Sequence, residues 1–208
     1  MQEKIHKKER VVAYIDGFNI YFGMREAGFH NCRWLDIKQL VINLLKPTQE
    51  LVEIKYFTSR VRNNPDKQKR QSTYIDALES TGVKVYYGNY QEGTEECKRC
   101  GNIWRVAREK MTDVNIATTM IVDAYKNHYD MAMLISGDSD LTPPIKAIHE
   151  NFPSKRVFIA FPPKRHNKSI LSVAKGSLVI GRKNLMASQF DEVVISKTGY
   201  ELMKPERW

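Results

Sequence analysis

Cysteine is scarce in this chain: three among 208 residues, at Cys32, Cys97 and Cys100. A low, odd count without a secretion signal argues against a disulfide framework. Long apolar runs are missing as well. No stretch reaches the roughly 18 apolar residues that a membrane span requires. The opening MQEKIHKKERVVAYIDG is basic, but its apolar run is short and Asp16 interrupts it, unlike a secretory signal. A cytoplasmic protein is therefore expected. Neither G-x-G-x-x-G nor a P-loop occurs, which disfavours a nucleotide cofactor. Internal repeats and low-complexity tracts are absent too.

What is present reads as one ordinary α/β domain. Hydrophobic residues make up 42% and charged residues 27% of the chain, as in folded globular proteins. Lys plus Arg number 33 against 24 Asp plus Glu, a formal balance of +9. Such a balance suits a polyanion, RNA above all, with DNA not excluded. Strand candidates are VVAYID (11–16), VEIKYFTS (52–59), VKVYYG (83–88), MAMLIS (131–136) and RVFIAF (156–161), with a β-like EVVIS at 192–196. Between them lie helix candidates at 36–46, 66–81, 112–128 and 143–150, with short ones at 168–175 and 183–189. Strands alternating with helices predict a three-layer fold around a mainly parallel sheet of about five or six strands. The expected organisation is a basic N-terminal segment (1–10), one domain (11–198) and a C-terminal tail (199–208).

In parallel sheets, ligands sit beyond the carboxyl ends of the strands. Strand one ends in Asp16, with Gly17 allowing a sharp bend and Asn19 in the turn. Strand two runs into Thr58, Ser59, Arg60 and Arg62, and strand four into Ser-Gly-Asp138-Ser-Asp140. The helix from 112 runs antiparallel to strand four, so Asp113 at its start returns to the same edge. Four carboxylates thus converge: Asp16, Asp113, Asp138 and Asp140. Such a cluster is tolerated only with a cation or protons, and hard oxygen donors suit Mg²⁺ or Mn²⁺. An acidic metal pocket within a basic surface is the electrostatic layout of a nuclease, which needs no protein nucleophile. Asp123 lies about 15 Å along the helix from Asp113 at ~1.5 Å per residue, so it is assigned a structural or remote role. Simpler roles stand beside these. Asp113 can be a first-turn acid at a helix dipole, and Asp16-Gly17 or Asn19 a mere turn. Thr142, before Pro143, is expected to cap the helix that follows, leaving Asp140 available. A haloacid-dehalogenase-type phosphatase needs a second Asp two residues beyond the first, where this chain has Phe18.

The ordered set YIDGFNIYFG, EKMTDVNIATTMIVDAY and MAMLISGDSDLTPPIKAI resembles the NYN-domain family, of the LabA-like (DUF88) branch. CRWLDIKQL, KYFTSRV and RQSTYIDALE support the match, which covers roughly residues 11–180. The resemblance implies a PIN-like fold and a metal-dependent ribonuclease or RNA-processing role. In that family the acids of the DGxN, TDV and SGDSD motifs form the metal pocket; they fall here on Asp16, Asp113, Asp138 and Asp140, beside Asn19. Some such domains only bind RNA.

Outside that pattern, EECKRCGNIW holds Cys97-x-x-Cys100-Gly, the shape of one zinc knuckle. Zinc needs four ligands, and no second CxxC exists; His30 and Cys32, or a second subunit, are the candidates to complete it. The alternative is two reduced cysteines in a solvent-facing loop. Arg60, Arg62 and Lys110 are candidate phosphate contacts, joined by the basic loop FPPKRHNKS after strand five. Tyr21 and Phe22 are candidates to stack bases, or simply core.

Overall fold

The computed structural model describes residues 7–61 and 64–206. Six parallel strands form the central sheet: β1 (Glu9–Asp16), β2 (Gln49–Thr58), β3 (Lys84–Tyr87), β6 (Met131–Ile135), β7 (Arg156–Phe161) and β8 (Ser177–Val179), in the order β3-β2-β1-β6-β7-β8. A hairpin of β4 (Asn89–Glu96) and β5 (Ile103–Lys110) and a ribbon of β9 (Val193–Ile195) and β10 (Glu201–Met203) form two separate two-stranded sheets. Helices α1 (Gly17–Glu26), α2 (Ile37–Leu44), α3 (Pro65–Ser80), α4 (Thr112–Tyr125), α5 (Thr142–Asn151), α6 (Lys168–Leu171) and α7 (Arg182–Met186) complete the chain.

Burial along β1 explains the layering. Val11, Ala13 and Ile15 pack with α1, α2 and α3 through Ile20, Leu40, Val41 and Leu78. Val12 and Tyr14 face the opposite side, against Ile116 and Met120 of α4 and Ile145 and Ile148 of α5. Both faces of β1 are covered, so its residues form a continuous apolar run rather than an alternating one. Each fully buried Ile or Leu contributes about 1.5–3 kcal/mol.

Local signals set the helix ends. Asp36 caps α2, its Oδ1 accepting the Gln39 amide at 3.0 Å. The helix stops at Leu44, short of the expected 46, because the chain turns extended at Leu45 as it approaches Pro47. Asn64 caps α3, which has Pro65 in its first turn.

The structure departs from the sequence reading in five places. Gly17 does not serve a bend; α1 begins there. Its hydrogen is required because a Cβ would lie 2.6 Å from the Tyr56 ring and 2.8 Å from the Phe57 carbonyl. Residues 95–104 are not a simple loop but the tip of the β4–β5 hairpin, paired from Asn89↔Lys110 to Glu96↔Ile103. The sixth strand is β8, whereas 192–196 contributes β9 to the ribbon. Thr142 does not cap α5: it lies within the helix, and its buried Oγ1 has no hydrogen-bond partner. The short candidates 168–175 and 183–189 shrink to α6 and α7.

Candidate nuclease site at the β1–β6 edge

β1 has β2 on one side and β6 on the other, so the sheet order reverses at β1. This is the switch point beyond which α/β sheets open a crevice. Asp16 closes β1 and caps α1. Its Oδ1 accepts the Asn19 amide at 2.9 Å and its Oδ2 accepts the Ser136 hydroxyl at 3.0 Å. The Ser136 Oγ in turn accepts the Asp138 amide at 3.1 Å. Asn19 Oδ1 accepts the Gly137 amide at 3.0 Å, and Asp138 Oδ1 accepts the Asp140 amide at 3.0 Å. Asp16, Asn19, Asp138 and Asp140 therefore belong to one hydrogen-bonded turn system linking β1, α1 and the end of β6. Ser136, fully buried, is its hub, a role that no sequence motif marks.

Electrostatics bring in Asp113. Burial is the main cause that pushes the Asp16 carboxyl up to about 7, and the charges of Asp113 and Asp138 push the same way. Hydrogen bonds from Asn19 and Ser136 oppose the rise without cancelling it. Asp113, in the first turn of α4, is also raised, by burial first and then by Asp138 and Asp140. Asp16 thus feels Asp113 and Asp138, and Asp113 feels Asp138 and Asp140. Among the described residues, no salt bridge to lysine or arginine involves any of them. Asp123 stands apart, buried and hydrogen-bonded to Tyr14 at 2.5 Å and Lys55 at 2.6 Å.

The donor set fits a hard divalent cation that keeps much of its water. Every side chain offered is a carboxylate or amide oxygen. Among the described residues, no group of three His, Cys, Asp or Glu is arranged to hold a metal ion. Mg²⁺ needs no such cage: it uses one or two carboxylates, several waters and substrate phosphate.

The surroundings are basic and partly aromatic. Arg60 is exposed, with its guanidinium 4.6 Å from the Tyr87 ring centroid. The two border a cavity of about 440 Å³ with Gln68, Gln71 and Ser72. Gln71 pins the β2 end by donating to the Ser59 carbonyl at 2.8 Å and accepting the Val61 amide at 2.7 Å. Sequence reasoning missed Tyr87 because only the pairing of β3 with β2 brings it beside Arg60. Arg62 lies outside the described residues, as do residues 1–6 of the basic N-terminal segment and 207–208 of the tail. Lys110 is exposed at the end of β5. A Cβ on Gly88 would come within 2.8 Å of the Lys110 carbonyl and 2.7 Å of the Ser59 and Thr112 hydroxyls, so the hairpin base, the end of β2 and the start of α4 meet there. The loop after β7 packs on the acidic turn, where a Gly137 Cβ would sit 1.8 Å from the Arg165 carbonyl. Tyr21 and Phe22 are half-buried on α1, lying under Arg33 and Arg25 respectively.

The suggested partners of the cysteine pair do not join it. Cys32 is buried in the core with its Sγ 3.4 Å from Met186 Sδ, and His30 contacts Arg33. Backbone amides of Arg99 and Cys100 hold the Cys97 thiol below its usual range.

A six-stranded parallel sheet with helices on both faces and acids at its switch point defines a PIN-like, Rossmann-like protein. The NYN domain matches residues 10–180, and the chain belongs to that family. It is 24% identical to 6-hydroxy-3-succinoylpyridine 3-monooxygenase HspA of Pseudomonas putida (strain DSM 28022 / S16), across 100% of this chain and 78% of that one. It also resembles the crystal structure of a protein of unknown function from Vibrio parahaemolyticus, with a TM-score of 0.61 and 24% identity over 87% of this chain and 97% of that one. NYN membership points to a nuclease or RNA-related role; those two relatives add likeness of sequence and fold.

Proposed function

We propose that this protein is a metal-dependent ribonuclease of the LabA-like (DUF88) branch, acting in the cytoplasm. The observation that carries the reading is the buried Asp16 carboxyl beside Asp113 and Asp138, raised by burial and then by their charges, with no lysine or arginine ion pair to it among the described residues. Asp16, Asp113, Asp138 and Asp140 would hold Mg²⁺ or Mn²⁺. Such an ion, when bound, polarises a phosphoryl oxygen and makes water a stronger nucleophile. Asp16 orients the turn through Asn19 and Ser136. Asn19 fixes Gly137 and so the direction of Asp138. Arg60 and Lys110 draw the RNA backbone towards the edge. The Tyr87 ring offers a face on which a base stacks.

A second reading, a non-catalytic RNA-binding module of the same family, is favoured by the lack of a ready three-ligand group among the described residues. Cleavage of RNA by purified protein, with and without Mn²⁺, separates the two. Asp138→Asn should lower the Mn²⁺-dependent rate at least about 100-fold, a loss of roughly 3 kcal/mol of transition-state stabilisation. Equal cleavage by both proteins would overturn the nuclease reading.

A further inference from the structure

The β4–β5 hairpin stands outside the central sheet and ends in Cys97-Lys98-Arg99-Cys100-Gly101. Its tip is tightly closed. The Cys97 amide donates to the Asn102 carbonyl at 2.8 Å, and the Gly101 amide donates to the Cys97 carbonyl at 2.8 Å. Gly101 takes φ +66°, a left-handed conformation that glycine adopts without strain. Cys97 is half-buried within this turn and Cys100 is exposed beside it. Two thiols with two residues between them, on a tightly closed turn, have the spacing of a bidentate soft-metal chelate.

Among the described residues, one chain brings two ligands to the tip. Its remaining cysteine is fully buried beside Met186, and no group of three potential ligands exists among the described residues. Structural zinc is four-coordinate and tetrahedral. The tip also suits a copy of itself. Glu96, Lys98, Arg99 and Cys100 are all exposed, and the three charged residues carry both signs. A twofold axis through the knuckle can set each copy's acid beside the other's bases, the self-complementarity that an isologous contact requires.

We propose that Cys97 and Cys100 form half of a tetrathiolate zinc site, completed by the same two cysteines of a second copy of this chain. Four Zn–S bonds form as four thiol protons leave to solvent, with no change in oxidation state. The hairpin then serves as a metal-gated dimerisation arm.

The test uses the full chain, untagged and reduced, with metal content and mass as readouts. RNA cleavage is not measured, so its outcome is independent of the nuclease reading. Elemental analysis should find about one zinc per two chains, and light scattering should find a dimer that a strong chelator returns to a 24.2 kDa monomer. Cys97→Ser with Cys100→Ser should lose both zinc and dimer while keeping the wild-type circular dichroism spectrum; Cys32→Ala should keep both. Should the double variant fail to fold, Co²⁺ loaded into the wild type decides instead, by showing or lacking the thiolate charge-transfer band and intensity of a four-thiolate tetrahedral site. Absence of zinc, zinc on a monomer, or a dimer indifferent to chelation would overturn the proposal.

Discussion

Asp16 is placed against its own charge. Folding raises its carboxyl from an ordinary 3.8 to about 7, chiefly by burial. The sign follows directly. The stability it contributes is fully present below about pH 4 and is lost as pH rises through about 7. Above that pH, the metal-free protein carries a buried carboxylate with acidic neighbours. Asp16→Asn keeps the shape and a capping oxygen but removes the charge. At pH 8 without divalent ions it should stabilise the protein, by up to about 4 kcal/mol from a shift of about three units. At pH 4 the gain should vanish. Thermal melts at the two pH values check this; a variant less stable than wild type at pH 8 would mean that the carboxylate is not repelled where it sits.

Asp123 shows the opposite arrangement. It too is buried, yet Lys55 and Tyr14 satisfy it, and Lys55 also pairs with Glu53 at 3.2 Å. The cluster ties β1, β2 and α4 together. Asp123→Asn leaves Lys55 buried with a weaker partner and should cost about 3 kcal/mol, lowering the melting temperature by roughly 6–12 °C. Mn²⁺-dependent cleavage at permissive temperature should survive. Its loss would tie Asp123 to the site and not merely to the core.

Elements were legible in the sequence where burial imposes a period. β1, β2, β6 and β7 are apolar runs because both sheet faces are covered, and α2 carries its buried stripe at Ile37, Leu40 and Val41. α1 was hidden because its opening, Asp-Gly-Phe-Asn, reads as a turn until a tertiary contact explains the glycine. The β4–β5 hairpin was hidden for a different reason. Its strands, NYQEGTEE and IWRVAREK, are largely charged and polar, and they pair with each other rather than with the core. The acids were legible because βαβ topology sends strand ends and the α4 start to one edge. Ser136 was not, since a serine between an apolar strand and Gly137 has no pattern of its own. Its role appears only when both its hydrogen bonds are seen.

At the scale of the whole molecule, the +9 balance and the acidic edge would divide the work under the proposed function. Basic side chains such as Arg60 and Lys110 would gather phosphate, and the local acids would hold the ion that acts on it. Single-stranded RNA affinity should therefore fall steeply with salt. With about three to five phosphates neutralised, the dissociation constant should rise roughly 20–100-fold between 50 and 200 mM salt. Salt-insensitive binding would contradict an electrostatic surface.

Under the proposed function, Asp16, Asp113, Asp138 and Asp140 together hold divalent metal. Calorimetric titration of the purified protein with Mn²⁺ at pH 6, repeated in buffers of different ionisation enthalpy, decides whether they do. Binding should release close to one proton, drawn from the raised Asp16 and Asp113 carboxyls, and Asp138→Asn should abolish or greatly weaken it. Mn²⁺ binding without proton release, or unchanged in Asp138→Asn, would show that the cation is held elsewhere.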